Sequence, residues 1–313
     1  GSGKSYAAKK ILLRLVDEGK TVIIFDLNGE YVNLGRDTQG NFGKYGQKIT
    51  VLDPTALTPH ENILPLQIPV NEMSYHDFAG IVGIEPKSDL YNQLILFWTR
   101  SVGDFDLDDF ESWVNTNVGN FPLKFALKER IGVAKSLGLF GRVNFERIIS
   151  RYEEAGGGIV VNFKFSSKRE RMVIIEFIIK VITKLRKQKK INPIAIFAEE
   201  AQLYVSQNLW DDLLTRMRHY GIFPTFITND PRTLPDEVFS LCDNLIAFRF
   251  HNTDDLEQLS KAKVIDRETL DVLKFLENKN CIFVGDCTDN FPIVVEIAPE
   301  KEVMMGGETQ TMF

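Results

Sequence analysis

Five residues at the start of the chain, Gly1-Ser2-Gly3-Lys4-Ser5, have the types and the order of a phosphate-binding loop. They match the second half of the pattern G-x-x-x-x-G-K-[S/T], in which backbone N–H groups close around a phosphate. In that pattern Lys4 reaches the β- and γ-phosphates, and the Ser5 hydroxyl is a ligand of Mg²⁺. The five residues therefore predict binding of a nucleoside triphosphate with Mg²⁺. The alternative is an accidental match in a remnant of cloning.

Two adjacent carboxylates form a second group of residues that could take part in catalysis. Glu199 and Glu200 follow the apolar run Ile194-Ala195-Ile196-Phe197-Ala198, which is typical of a buried strand. At the end of a strand beside a phosphate loop, one acid can support the metal and another can activate water. We predict that Glu200 polarises the attacking water and that Glu199 belongs to the Mg²⁺ shell. The alternative is a strand that runs into a solvated, acidic helix cap.

The segment after the phosphate loop has the elements needed to position it. Apolar residues at helical spacing predict a helix over residues 6–18, ended by Gly19. Residues 21–25 then predict a buried strand that Asp26 closes. Because the start of a helix must direct its dipole at the phosphates, the order loop, helix and strand is the context that the motif requires. This context argues against the accidental match.

The rest of the chain alternates between strand patterns and helical patterns, which predicts an α/β fold with a mainly parallel sheet. We expect the core to comprise residues 1–73 and 155–300, with its N-terminal part truncated, because the first glycine of the phosphate motif is absent. Residues 74–154 show helical patterns separated by Gly and Pro, which predict an all-helical insertion. Residues 301–313 form a C-terminal tail. Disorder is one interpretation of the tail, and contact with the nucleotide or a neighbouring subunit is the other.

Composition limits the kinds of partner. The 313 residues include 37 basic and 43 acidic side chains, a net charge of −6, so any contact with nucleic acid must be local. The strongest basic cluster is residues 184–190, at the end of a long predicted helix, where cations complement the helix dipole with or without DNA.

Cysteine usage and hydropathy bear on the compartment. The three cysteines, Cys242, Cys281 and Cys287, are too few and wrongly spaced for a zinc site or a disulfide framework. We expect reduced thiols, which suit a cytoplasmic protein. No apolar run approaches the roughly 18 residues of a membrane span, so a membrane location would depend on a partner.

Six segments follow one another in a familiar order: residues 1–5, 25–31, 197–202, 217–221, 227–231 and 244–249. In order and style they resemble the HerA/FtsK superfamily of P-loop motors, over nearly the whole chain outside the helical insertion. That superfamily includes HerA-type DNA translocases and the TraC-like ATPases of conjugation and type IV secretion. The most specific segments are D-x-x-G-E-Y, from Asp26 to Tyr31, and E-E-A-Q, from Glu199 to Gln202.

The resemblance implies a RecA-like core that assembles into a homo-oligomeric, usually hexameric ring and hydrolyses ATP at subunit interfaces to move DNA through the pore. It further implies a nuclease or a secretion machine as a partner, and a cytoplasmic location that such a partner could bring to the inner face of the membrane. The main alternative is a TraC-like ATPase that energises conjugation or secretion through protein contacts. A small-molecule kinase fits the phosphate loop but not the E-E-A-Q box.

Two positions depart from the family pattern. Glu199 occupies the place of the usual Asp, and Thr228-Asn229 replaces Ser-Gln at the end of the next strand. Asn229 keeps an amide that can sense the γ-phosphate or the attacking water. Its alternative role is to cap the turn before Pro231.

An arginine donated across the subunit interface is expected in a ring ATPase, because its planar, permanent charge can stabilise the transferred phosphoryl group. Arg218 matches the arginine of the family's G-R-K-[F/Y]-G stretch and is the predicted residue. Arg216 and Arg249 are alternatives for this role or for one in cis. A surface salt bridge from Arg218 to Asp211 or Asp212 is the structural alternative.

Overall fold

The computed structural model describes residues 3–56, 61–141, 145–204, 216–250 and 252–306. Its centre is a six-stranded, all-parallel sheet with the strand order β3-β2-β4-β1-β5-β6. The strands are β1 (Thr21–Asp26), β2 (Ile49–Asp53), β3 (Ile63–Pro65), β4 (Gly157–Asn162), β5 (Ile194–Glu199) and β6 (Ile222–Ile227). The predicted α/β class with a mainly parallel sheet is therefore confirmed.

Two helices cover the two faces of this sheet. Helix α1 (Lys4–Asp17) packs on one face with Val22 and Ile24 of β1. Helix α7 (Lys168–Lys187) packs on the other face with Ile23 and Phe25. Successive side chains of a strand point to opposite faces, so a strand covered on both sides is apolar at almost every position. Strands β1 and β4 are buried along their whole length for this reason.

A group of helices lies between β3 and β4 in the chain. It comprises α2 (Tyr75–Val82), α3 (Asp89–Arg100), α4 (Leu107–Asn117), α5 (Phe121–Ser136) and α6 (Phe145–Ser150). Side chains that accept a bond from the first turn set the starts of α2 to α5, and these are Ser74, Ser88, Asp106 and Asn120. The helices α2 to α5 share a core that includes Phe78, Phe97 and Phe110. No helix of the described ranges has the length and apolar character to cross a membrane.

The last three strands of the described residues do not join the parallel sheet that the sequence predicts. Strands β7 (Asn244–Phe248), β8 (Asn280–Gly285) and β9 (Ile293–Glu296) form a separate antiparallel sheet. Only residues 286–292 join β8 to β9, and a parallel pair needs a crossover of a dozen or more residues. Three short helices lie in this part of the chain, α8 (Asp236–Leu241), α9 (Thr253–Leu259) and α10 (Arg267–Leu273).

The first part of the C-terminal tail packs on the core of its own subunit. Met304 donates its backbone N–H to the carbonyl of Arg36 over 2.9 Å, and Val303 and Met305 are buried. A Cβ atom at Gly306 would lie 3.1 Å from the carbonyl oxygen of Glu30, so the backbone approaches closely there. Residues 307–313 lie outside the described ranges, and contact of the tail with a nucleotide or a neighbouring subunit stays a prediction.

Candidate active site

Gly3 is the first described residue of the predicted phosphate loop, and Gly1 and Ser2 lie outside the described residues. Gly3 precedes α1 in the left-handed region, with φ 100° and ψ 2°. A Cβ atom there would lie 3.2 Å from the ring of Phe248 at the end of β7. Both the backbone angle and the space therefore favour glycine. Helix α1 begins at Lys4, and the positive end of its dipole suits an anion.

Adjacent parallel strands bring polar residues to one edge of the sheet. Phe25 of β1 lies opposite Ala198 of β5, so the next residues, Asp26 and Glu199, are neighbours. Asp26 is fully buried, and its carboxylate accepts the backbone N–H groups of Glu30 at 3.0 Å and Tyr31 at 2.9 Å. Burial raises the pKa of Asp26, and these backbone bonds act in the opposite direction. Asp26 therefore closes the turn that brings Tyr31 back toward β5.

Glu199 is a buried acid whose two carboxylate oxygens have different surroundings. Its side chain is buried, with the residue 3% exposed, and its Oε1 accepts the Tyr31 hydroxyl at 3.0 Å. Its buried Oε2 has no hydrogen-bond partner among the described residues. Burial, followed by the charge of Asp26, raises the pKa of Glu199 to about 7, and the Tyr31 hydroxyl and the nearby Ser5 side chain offset part of this rise. A hydroxyl and an unpartnered carboxylate oxygen are ligands of the kind that Mg²⁺ prefers.

A buried lysine supports the turn from the side of α1. The Lys9 Nζ lies 3.5 Å from Glu30 Oε2 and 4.9 Å from the centre of the Tyr31 ring. Lys9 is 1% exposed and Tyr31 is fully buried. A buried charge requires a partner, and here it has both a carboxylate and an aromatic face. The turn at residues 26–31 is thus fixed against both β5 and α1.

The backbone of Glu200 is left-handed, with φ 46° and ψ 46°. Its side chain therefore has different partners from that of Glu199. Such angles are uncommon for a residue with a Cβ atom and are often found at functional sites. Its Oε1 accepts from the Asn229 side-chain amide at 2.7 Å, and its Oε2 accepts from Gln202 at 2.7 Å and the Thr228 hydroxyl at 3.3 Å. Burial lowers the pKa of Lys4, and the charge of Glu200 raises it.

The structure therefore brings most of the predicted site residues together in two neighbouring sets. Ser5 lies beside Glu199, while the charge of Lys4 and the amide of Asn229 act on Glu200. Asp230 caps the 3₁₀ turn Pro231–Thr233, and its side chain accepts the backbone N–H of Arg232 at 3.3 Å. The side-chain amide of Asn229 donates to Glu200.

The predicted trans-acting arginine lies in a surface ion pair. Arg218 Nη1 is 2.8 Å from Asp243 Oδ1, and the Arg218 side chain is 61% exposed. The partners suggested by the sequence, Asp211 and Asp212, lie outside the described residues. Arg249 directly follows Phe248, the residue whose ring adjoins Gly3. Arg216 immediately precedes the 3₁₀ helix Met217–Tyr220.

Three cations of the basic cluster at residues 184–190 contact other groups of the same chain. Arg186 Nε donates to the Tyr220 carbonyl at 2.6 Å, and Lys187 Nζ lies 4.7 Å from the centre of the Tyr220 ring. Lys190 Nζ lies 3.6 Å from Glu146 Oε1. These contacts support the structural interpretation of the cluster.

Sequence reasoning gave no roles to Lys9, Tyr31 or Gln202. The sequence feature that could have indicated Tyr31 is its position five residues after Asp26, an acid at the end of a buried strand. The contact between Tyr31 and Glu199 joins residues 168 positions apart, so no local pattern indicates it.

A family model and two curated relatives that match this chain all carry the name HerA. A family model described as "Helicase HerA, central domain" matches residues 1–182. The chain is 22% identical, over 97% of its length, to the DNA double-strand break repair helicase HerA of Pyrococcus furiosus. It is also 22% identical, over 98% of its length, to the protein of that name from Saccharolobus solfataricus. The chain spans 64% of the length of each of these relatives.

Two solved structures share the fold. VirB4 of Thermoanaerobacter pseudethanolicus aligns with a TM-score of 0.63 and 16% identity, covering 96% of this chain and 87% of that one. The bacterial conjugative coupling protein TrwB aligns with a TM-score of 0.55 and 15% identity, covering 91% of this chain and 80% of that one. At these identities the similarity establishes the fold alone.

Proposed function

Because the chain belongs to the family described as the central domain of the helicase HerA, we propose that it hydrolyses ATP to translocate DNA. The observation that supports this most directly is the meeting of the phosphate loop with two strand-end acids, where Ser5 adjoins Glu199 and Lys4 feels the charge of Glu200. The relatives named for helicase activity are longer than this chain, so the activity and its DNA substrate are proposals for this protein.

In this proposal the start of α1 binds the nucleotide. The loop from Gly1 to Ser5 surrounds the phosphates with backbone N–H groups, and Lys4 provides a positive charge to the β- and γ-phosphates. The unpartnered Oε2 of Glu199 and the hydroxyl of Ser5 would hold Mg²⁺. When bound, Mg²⁺ neutralises charge that develops on the phosphates.

Glu200 is proposed to polarise the attacking water. Its carboxylate is oriented by the amides of Gln202 and Asn229, both at 2.7 Å, and by the Thr228 hydroxyl. A general base must lie within hydrogen-bond reach of the proton that it accepts. Asn229 is proposed to sense the γ-phosphate or the water by exchanging its bond to Glu200 for one to that group. The left-handed backbone of Glu200 separates its carboxylate from that of Glu199.

The quaternary part of the proposal is a homo-oligomeric, hexameric ring in which Arg218 acts in trans. Arg218 is exposed and its pair with Asp243 lies on the surface, so it is accessible to a neighbouring subunit. An exposed ion pair contributes little to stability and can be exchanged for a phosphate. We also propose that residues 74–154 are an insertion in a core of residues 1–73 and 155–300. The separate core of α2 to α5 around Phe78 supports this division, whereas Phe145 and Ile149 of α6 pack in the core of the sheet.

The test is the rate of ATP hydrolysis with and without double-stranded DNA, together with the mass of the assembled particle. We expect hydrolysis that requires Lys4, stimulation by DNA, and a particle of several subunits. A DNA-independent ATPase in a ring would favour the TraC-like role in conjugation or secretion. A monomer without ATPase activity would overturn the proposal and favour a small-molecule kinase. A nuclease or secretion-machine partner, and a location in the cytoplasm or at the inner face of the membrane, belong to the same proposal.

A further inference from the structure

A second surface has the chemistry of a nucleic-acid contact and plays no part in the candidate active site. It comprises residues 164–169, which lead from β4 into α7 and include the first two residues of that helix, and it is named here the basic loop. Lys164, Phe165, Lys168 and Arg169 are all exposed, and the Phe165 side chain is among the most exposed large apolar groups, with the residue 73% accessible. The Lys164 Nζ lies 5.4 Å from the centre of the Phe165 ring.

The dipole of α7 does not explain the positive charges of this loop, which lie just before the helix and in its first turn. The N-terminus of a helix carries partial positive charge, so cations are unfavourable there. Helix α7 already satisfies its first turn with a capping box between Ser167 and Glu170. Arg169 does have a structural partner, the carbonyl of Gly80 at 3.1 Å. Lys168 has no polar partner among the residues that the structure describes, which leaves its charge available to a ligand.

The two ends of α7 differ in whether the cations near them complement the helix dipole. At the C-terminal end, Lys187 complements the helix dipole and lies over the ring of Tyr220. At the N-terminal end, residues 164–171 contain four cations and a single acid, Glu170, which is bonded within the capping box. In a chain with a net charge of −6, this is a local positive surface. An exposed phenylalanine among cations suits a partner that offers both phosphates and apolar or aromatic faces.

The basic loop also contacts the turn that positions Glu199. The side chain of Lys164 lies over Gly29, where an added Cβ atom would be only 2.8 Å from the Lys164 Cδ. Gly29 belongs to the turn at residues 26–31, through which Tyr31 reaches Glu199. A ligand that moves Lys164 would therefore act on a turn that supports the candidate active site.

We propose that the basic loop binds DNA, with Lys164 and Lys168 on phosphates and Phe165 against a sugar or a base. This inference rests on the proposed function and adds to it a specific contact surface. The candidate active site includes neither lysine, but Lys164 packs on the turn that supports it, so the readout is the ratio of ATP turnover with DNA to turnover without DNA. The contact to Gly29 is the route by which bound DNA stimulates hydrolysis.

The test compares two double variants of the full chain. Lys164→Gln with Lys168→Gln removes two charges at the start of α7, and Lys187→Gln with Lys189→Gln removes two at its end. We measure binding to duplex and single-stranded oligonucleotides over a range of salt concentrations, and ATP turnover with and without DNA. Loss of two phosphate contacts should reduce the slope of log affinity against log salt by about two. The first variant should show this reduced slope and no stimulation by DNA, while the second keeps the wild-type slope and the stimulation.

Stability provides an independent readout. Removing cations from the start of α7 should raise the urea midpoint of unfolding, and removing them from its end should lower it. Phe165→Ala, with all charges retained, should weaken binding of single-stranded DNA at least as much as duplex, since an unpaired base offers its whole face.

Several results would overturn the inference. Wild-type DNA affinity and salt slope in the Lys164/Lys168 variant would do so, as would equal losses in both double variants. A lower particle mass with unchanged DNA binding would assign the loop instead to a contact between copies of the chain. If the wild-type protein itself hydrolyses ATP but binds no DNA, the proposed translocase function fails first, which distinguishes the two failures.

Discussion

Tyr31→Phe removes a single hydroxyl group from the buried side of the candidate active site. That hydroxyl donates to Glu199 Oε1 over 3.0 Å, and the other oxygen of Glu199 has no partner among the described residues. Phenylalanine keeps the ring, so the change tests the hydrogen bond with little effect on packing. We expect the carboxylate of Glu199 to lose its fixed position while the fold persists.

The magnitude follows from the burial of both partners. Glu199 is 3% exposed and Tyr31 is fully buried, so water cannot readily replace the lost bond. A hydrogen bond to a charged group contributes about 1.5–3 kcal/mol, and we expect the free energy of unfolding to fall by that amount. Loss of a residue that orients a metal ligand typically costs about 10- to 100-fold in metal affinity or activity. We therefore expect the Mg²⁺ concentration for half-maximal ATP hydrolysis to rise by that factor. This rise corresponds to a loss of about 1.4–2.7 kcal/mol of Mg²⁺ binding free energy.

The assay combines urea unfolding with Mg²⁺ titration of ATP turnover, at a pH above the pKa of about 7 of Glu199. Tyr45→Phe is the matched control, because its hydroxyl donates to Asp17 Oδ2 over 2.7 Å at the far end of α1. The control should lower stability slightly and leave the Mg²⁺ dependence unchanged, since Asp17 keeps its ion pair with Lys44. A wild-type Mg²⁺ dependence in Tyr31→Phe would refute the positioning role, whatever the effect on stability.

Three further substitutions test the site. Lys4→Ala should abolish nucleotide binding or turnover with an unchanged circular dichroism spectrum, because no neighbour replaces its charge, and near-wild-type hydrolysis would contradict the phosphate-loop assignment. Glu200→Gln should still bind ATP, while kcat falls by about 10²-fold or more; a mild effect here with a severe one in Glu199→Gln would reverse the two roles. Arg218→Ala should bind ATP without hydrolysing it and, through loss of the Asp243 pair, lose less than about 1 kcal/mol of stability. Mixing it with Glu200→Gln subunits should restore some turnover, and no recovery despite subunit exchange, shown by mass spectrometry, would exclude action in trans.

The local pattern of the sequence was sufficient to predict most elements around the site. Helix α1, the buried strands β1 and β5, and the position of Glu199 and Glu200 at a strand end all follow from apolar spacing and its interruption. These features depend on residues a few positions apart. The short strand β3 and the exposed strand β9 were not predicted, because three residues or a solvent-exposed strand give little periodic signal.

The tertiary structure decided how the site residues are paired. The sequence placed Glu199 and Glu200 side by side, but the left-handed backbone of Glu200 directs one acid to Asn229 and leaves the other with Tyr31. The antiparallel arrangement of β7, β8 and β9 likewise depends on which strands meet, not on their individual patterns. Spacing along a chain determines local conformation and the face on which a side chain lies. Contacts between residues as distant as Tyr31 and Glu199 depend on strand order and register, which form only when the sheet assembles.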